Sequence, residues 1–162
     1  MDLRFEQSLL QNDAFSAVLL STAVRSFYDQ KDRTAGIPLM LSLLVLPLSY
    51  HRETAEALVS KRRPSLFAKA IAANRNLPLG VQKRMEDMTE MSMSALRLAI
   101  GSCSLAIDDT GASLEIVPVG PLPPSSFASP DAKLLHRAAK CVGQGIAEVS
   151  IEQLCQFLMV RF

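Results

Sequence analysis

The chain has 162 residues, of which 49% are hydrophobic and 20% are charged, and its formal net charge is +1. This length is typical of one domain that folds without disulfides or metals, and the apolar content excludes intrinsic disorder of the whole chain. The balanced charge excludes a uniform polycation that binds nucleic acid along its entire length.

The N-terminal sequence and the cysteines predict a cytoplasmic protein. Residues 1–13 carry acidic and polar side chains where a signal peptide needs a basic region followed by an apolar one. The cysteines Cys103, Cys141 and Cys155 are odd in number and form no CxxC pair, which is typical of small, buried, reduced thiols. The most apolar segment, residues 37–50, is shorter than the roughly 20 residues of a membrane span, so no membrane association is expected.

Helical spacing of apolar residues predicts a first helix that begins near the N-cap candidates Asn12 and Asp13 and runs to about residue 30. Apolar residues cover two sides of this helix, so we expect it to be sandwiched, either in the chain's own core or against a partner. Residues 37–50 predict a buried helix that is entered at Pro38 and ends before Pro47. A short helix over residues 52–61 and another from Pro64 follow.

The middle of the chain predicts a long helix followed by a β-hairpin. Apolar periodicity covers residues 81–100, and Gly101 is placed to end the helix. Two short strands are predicted over residues 102–107 and 113–117, joined by the hairpin loop 108–111.

The last third predicts a linker and two helices. Residues 118–130 are rich in proline and serine, as in a surface linker. Ser129 is a good N-cap for the next helix, which we expect Gly143 and Gly145 to end. Ser150 and Gln153 have capping-box spacing and predict a final helix whose inward face includes Ile151.

These elements predict one domain, residues 1–162, that is mainly α with a small β-hairpin and belongs to the α+β class. The order of helices and hairpin favours a winged-helix-like centre with added N- and C-terminal helices. We divide the chain into a helical core with the hairpin, residues 1–117, the linker 118–130, and a C-terminal helical pair, residues 131–162.

The charges are segregated along the sequence although their sum is near zero. Residues 52–84 hold eight bases and two acids, whereas residues 85–131 hold seven acids and one base. The basic segment is a solvated face, a face matched to an acidic partner, or a surface that contacts DNA phosphates. For DNA contact the candidates are Lys61, Arg62, Arg63, Lys69 and Arg75.

The sequence contains few of the residue patterns that are typical of enzymes. The two histidines, His51 and His136, have no second His or Cys at metal-ligand spacing, and the sequence contains neither a P-loop nor a GxSxG motif. We expect His51 to bond a helix terminus and His136 to face solvent. The sequence therefore predicts no enzyme, no catalytic residue, no metal and no cofactor.

Three blocks of sequence, in the same order, are similar to a known family. They are Asn12-Asp-Ala-Phe15, the run from Ile37 to His51 with its LVLPLSYH ending, and the C-terminal stretch from Ala139 to Phe162. Together they resemble the small middle components of three-component ABC-ATPase systems, including those of Lamassu-type antiphage defence. Asp13, Gly145 and Met159 depart from the family's usual residues.

The resemblance implies an accessory subunit beside an SMC- or Rad50-like coiled-coil ATPase and an effector, often a nuclease. Our first hypothesis is a non-catalytic adaptor that bridges the two in a bacterial antiphage or antiplasmid complex and meets DNA through that complex. The second hypothesis is a winged-helix-like DNA-binding regulator, and the third and weakest is a hydrolase. For partner docking the candidates are Phe15, Val18, Leu19, Leu154, Leu158 and Arg161.

Overall fold

The computed structural model describes residues 12–60, 67–122 and 126–162. The first half contains α1 (Asp13–Gln30), β1 (Ile37–Pro38), α2 (Leu39–Ser42), α3 (Val45–Ser49), α4 (Arg52–Val59) and α5 (Phe67–Ala73). The second half contains α6 (Val81–Asp87), α7 (Thr89–Gly101), β2 (Leu105–Asp108), β3 (Glu115–Pro118), α8 (Pro130–Glu148) and α9 (Ile151–Leu158).

Helices α1 and α8 form the centre of the molecule. The Asn12 side chain caps α1 by accepting a hydrogen bond from the Phe15 backbone N–H at 3.1 Å, so the predicted start is confirmed. Helix α1 packs against α8, α7 and the sheet, while α8 also contacts α3, α4 and α5. This arrangement encloses both apolar sides of α1 within the chain's own core, which decides between the two environments that the sequence left open.

Two glycines let α8 approach its neighbours closely. A Cβ at Gly143 would lie 2.1 Å from the Ala23 carbonyl oxygen of α1, and one at Gly145 would lie 2.2 Å from Cγ of Phe67 in α5. Helix α8 continues through both residues to Glu148, so the prediction that they end the helix is wrong. They serve close packing because a larger side chain has no room at either position.

The apolar segment 37–50 forms a short strand and two short helices rather than one helix. The chain turns at Leu43 and Leu44, which separate α2 from α3. Pro47 therefore lies in the first turn of α3, where its missing N–H breaks no helical hydrogen bond. The expectation that Pro47 ends a helix is wrong for this reason.

The predicted helix over residues 81–100 is divided at Met88. Met88 has φ −102° and ψ 4°, outside helical geometry, and separates α6 from α7. The Thr89 hydroxyl donates to the Met85 carbonyl at 2.7 Å, a side-chain bond of the kind that bends helices.

The hairpin prediction is confirmed, and a third strand joins it. The sheet is antiparallel with the order β1-β3-β2, and Ile116 of β3 pairs with both Ile37 of β1 and Ile107 of β2. Ile37, Leu105 and Ile116 are buried and hold the sheet against the core. The chain is thus mostly helical with a small sheet, which confirms the α+β class. The winged-helix arrangement is not confirmed.

Both predicted C-terminal helix starts are confirmed. The Ser129 hydroxyl caps α8, and Pro130 lies in the first turn. At α9, the Ser150 hydroxyl accepts from the Gln153 backbone N–H at 3.2 Å while the Ser150 N–H donates to the Gln153 side chain at 3.1 Å. Ile151, however, is exposed rather than inward.

Candidate interaction surfaces

The predicted docking residues fall into two groups. Four of them lie in the core of the chain: Phe15, Leu19, Leu154 and Leu158. Val18 is half-buried and Arg161 is exposed. A docking role for any of the six stays a prediction, but in this conformation only Val18 and Arg161 offer surface to another protein.

The predicted DNA-contacting residues are only partly described. Lys61, Arg62 and Arg63 lie outside the described residues. Lys69 is exposed on α5, and Arg75 is exposed in the turn that follows α5. Their exposure leaves both free to meet a charged partner, and it does not by itself select DNA.

Residues 159–162 meet the start of α6 and bring the docking candidate Arg161 near Leu79, an exposed apolar residue that the sequence did not indicate as a candidate. The backbone N–H of Arg161 donates to the Gln82 side-chain oxygen at 2.9 Å. Apolar side chains beside this bond remain exposed: Leu79 by 57%, Met159 by 56% and Phe162 by 43%. The segments that meet here, residues 67–84 and 159–162, contain five basic residues. We call this surface the basic corner; it comprises Lys69, Arg75, Leu79, Lys83, Arg84, Met159, Arg161 and Phe162.

Local backbone geometry holds the corner in place. Met159 adopts a left-handed conformation (φ 52°) at the C-cap of α9, and the next residue, Val160, is buried and donates its N–H to the Cys155 carbonyl at 3.2 Å. Helix α9 packs on α5, which brings Lys69 to the same end of the molecule. The turn over residues 74–80 has no apolar periodicity, so no sequence signal indicated Leu79, whereas Lys69, Arg75 and Arg161 were already candidates.

Arg84 is the least satisfied polar side chain of the corner. Its Nη1 donates to the Leu79 carbonyl at 3.2 Å. Nε and Nη2 are buried, and no acceptor lies within hydrogen-bond distance of either among the described residues. Burial lowers the pKa of Arg84, and the Glu53 carboxylate partly opposes that effect.

His51 lies at the start of α4. It occupies the N-cap of α4, and its Nδ1 is 2.7 Å from the Thr54 hydroxyl in the first turn, which confirms the predicted bond at a helix terminus. Burial lowers the pKa of His51, and the positive charge of Arg84 lowers it further.

The hairpin carries the opposite charge. Residues 105–119 hold three acids and no base. The Asp108 carboxylate accepts from the Thr110 hydroxyl at 2.6 Å and from its backbone N–H at 2.9 Å, and these bonds lower the pKa of Asp108. Glu115 accepts from the Gly36 N–H at 2.9 Å. We call this surface the acidic sheet; it comprises Ile107, Asp108, Asp109, Leu114, Glu115 and Val119.

His136 forms a hydrogen bond between the two central helices. It is half-buried, so the prediction that it faces solvent is wrong. Its Nε2 lies 3.1 Å from the Thr22 hydroxyl, which donates its own proton to the Val18 carbonyl, so Nε2–H is the donor. The Phe127 ring packs on the imidazole with centroids 5.1 Å apart. Burial lowers the pKa of His136, and the charge of Lys140 lowers it further.

The cysteines and the histidines assemble no metal site within the described ranges, where no cluster of three or more His, Cys, Asp or Glu side chains is placed to hold an ion. Cys141 and Cys155 are half-buried, and burial raises the pKa of the Cys141 thiol. Cys103 is exposed, against the expectation of buried thiols, because it lies in the turn after α7 with φ 59°. In residues 12–60, 67–122 and 126–162, no helix combines the length and hydropathy of a membrane span.

Comparison with the sequence models of known protein families assigns the chain to one of them. The sequence model of the ABC-three component (ABC-3C) system Middle Component 3 matches residues 2–162. The chain belongs to this family. Middle Component 3 proteins are parts of an ABC-three component system, so this chain has an accessory role and its partners lie in the ABC complex. Searches of curated proteins and of solved structures each found no match.

Proposed function

We propose that the chain is a non-catalytic adaptor that bridges an SMC- or Rad50-like ABC ATPase and an effector nuclease. The complex would act in Lamassu-type bacterial defence against phage and plasmids. Membership in the Middle Component 3 family carries the proposal, because a middle component works with the other components of its system. The resemblance of the three sequence blocks supports the choice of ATPase and effector.

The division of surface charge supports a bridging role. The basic corner and the acidic sheet present opposite charges on one small chain. Complementary charge steers partners and suppresses the wrong pairing, so two surfaces of opposite sign bind two different proteins in a fixed arrangement.

Co-purification tests the bridge. The effector is tagged and co-expressed with the ATPase, with and without this chain, from the genes encoded together. We expect the tagged effector to retain the ATPase only when the chain is present. Equal retention of the ATPase without the chain would show that the chain bridges nothing.

A separate assay tests the absence of catalysis. Purified chain is incubated with ATP and with plasmid DNA, alone and with an effector whose own active site is inactivated. We expect neither ATP hydrolysis nor DNA cleavage above background. Cleavage that persists with the inactivated effector and requires this chain would make the chain an enzyme.

A DNA-binding regulator is the second candidate, favoured by the exposed Lys69 and Arg75. The acids Asp108 and Asp109 at the hairpin loop argue against a DNA-binding regulator, because their negative charges would face phosphates if the hairpin entered a groove of DNA. A gel shift of the isolated chain at two salt concentrations distinguishes the candidates. Salt-sensitive DNA binding that the double substitution Lys69→Glu/Arg75→Glu abolishes would favour the regulator over the adaptor.

A further inference from the structure

The exposed apolar side chains of the basic corner belong to two segments that one hydrogen bond joins. Leu79 is three residues from Gln82, and Met159 and Phe162 are within two residues of Arg161, so the hydrogen bond between Gln82 and Arg161 limits how far apart the three can lie. At 3.8 Å per residue, each lies within roughly 12 Å of that bond. Exposed apolar groups rimmed by polar residues mark protein interaction sites.

The positive charge of the basic corner indicates that a partner there would be negatively charged. Residues 67–84 and 159–162 contain five Lys or Arg residues and no Asp or Glu, although the Glu53 carboxylate of α4 acts on Arg84. Lys83 is paired with Asp87 at 3.1 Å, but both side chains are exposed, so this ion pair exchanges readily for another. A partner segment that carries carboxylates complements this surface.

The buried nitrogens of Arg84 point to the same chemistry. The Arg84 guanidinium donates to the Leu79 carbonyl, and two of its nitrogens lack an acceptor among the described residues. A carboxylate that docks beside Leu79 would compensate this charge in a partly desolvated place, where charge-assisted bonds are strong. Phosphates would satisfy the charge but would gain nothing from Leu79 and Met159.

We propose that the basic corner docks an acidic segment of another component of the ABC-three component system. Apolar side chains of the segment cover Leu79, Met159 and Phe162, and its carboxylates meet Lys83, Arg84 and Arg161. This inference rests on the proposed adaptor function and names the surface and the chemistry of one of its two contacts.

Matched substitutions in the full chain test the corner within the co-expressed complex. Leu79→Ser and Arg161→Glu change the corner, while Val119→Ser changes an equally exposed apolar residue, 61% against 57%, on the acidic sheet. We expect each corner variant to lower retention of one component at least about tenfold, as loss of a central contact does, while retention of the other component is unchanged. Val119→Ser should leave that same component bound, and unchanged melting temperatures show that all variants fold.

A photo-crosslinker identifies what touches the corner. Leu79→benzoylphenylalanine is irradiated in the assembled complex, and the crosslinked peptide is sequenced by mass spectrometry. We expect a segment rich in Asp and Glu with interspersed apolar residues. A segment rich in Lys and Arg, or a crosslink to DNA, would overturn the proposal.

The outcomes separate this inference from the function on which it rests. If the wild-type chain retains neither component, the adaptor function fails and the inference fails with it. If the wild-type chain retains both and the corner variants do so equally, the adaptor function stands and only the acidic docking segment is refuted.

Discussion

The α1–α8 interface and the basic corner use apolar residues in opposite ways. In the interface, Ala23 lies against Gly143, and the wide apolar face of α1 is enclosed by the chain itself. In the corner, Leu79 and Met159 stay in contact with solvent among bases. The difference teaches that the wide apolar face of α1 builds the core of this chain, whereas the corner that we propose for docking combines a few exposed apolar residues with positive charge.

Truncation of a core side chain in the α1–α8 interface should have the largest effect on stability. Leu19 is fully buried at the centre of α1, so Leu19→Ala should lower the free energy of unfolding by about 2–5 kcal/mol, through lost burial and a cavity. Leu98→Ala on α7, where the side chain is 44% exposed, should change it by less than about 0.5 kcal/mol. Urea unfolding measures both values, and equal losses would contradict the enclosed interface.

Added volume at the helix contact should have the next largest effect. Gly143→Ala places a methyl group against the Ala23 carbonyl, and overpacking of this kind costs about 1–3 kcal/mol. Gly101→Ala is the matched control, because a Cβ there meets nothing within 4 Å, and it should stabilise by up to about 1 kcal/mol through helix propensity. Thermal melts show whether each substitution raises or lowers the melting temperature. A stabilising Gly143→Ala would show that the helices are not in close contact.

Removal of the α9 cap should weaken the region that carries the corner. Ser150→Ala leaves the Gln153 N–H without its acceptor, at a cost of about 1 kcal/mol. Hydrogen exchange should rise in α9 and at Val160 before it rises in α1, since α9 lies at the edge of the packing. Ser150→Asp, which keeps an acceptor, should behave like the wild type, and equal losses in both variants would argue against a capping role.

Acidification should lower the stability of the folded chain modestly, through His136 in the α1–α8 interface. The folded pKa of His136 is lowered below its ordinary value of 6.5, so the unfolded chain binds the proton first. The contribution of neutral His136 to the free energy of unfolding is therefore fully present above about pH 6.5. It declines as the pH falls from there toward the pKa of His136 in the folded chain. Melting temperatures at pH 7.5 and 5.5 should differ less in His136→Gln than in the wild type, with a remainder from His51, whose pKa is shifted in the same direction. Identical differences in both proteins would show that His136 does not contribute.

The sequence predicted the elements whose determinants are local. The N-cap at Asn12, the capping box at Ser150 and the apolar period of α1 are all short-range signals, and each one is found in the structure. Strand β1 was missed because Ile37 pairs with Ile116, far away along the chain. The glycines of α8 were taken for helix ends because a sequence does not distinguish a glycine that ends a helix from one that lies against another backbone.

The candidate surface was less predictable than the fold. Of the predicted docking residues, Arg161 lies in the corner, while Leu154 and Leu158 are buried in the core. The apolar period of α9 marks its inner face and gives no information about the exposed residues beyond it. Leu79 and Arg161 come together only through tertiary structure, by way of Gln82, so no local pattern joins them.

The contact of Gly143 with Ala23 has a mechanical consequence. Since backbone meets backbone there, no side chain is available to rotate and absorb a push on α8. Helix α8 touches α5 through Gly145 and Phe67, and α1 touches the sheet. A displacement of α8 toward α1 would therefore move the α1 backbone with it.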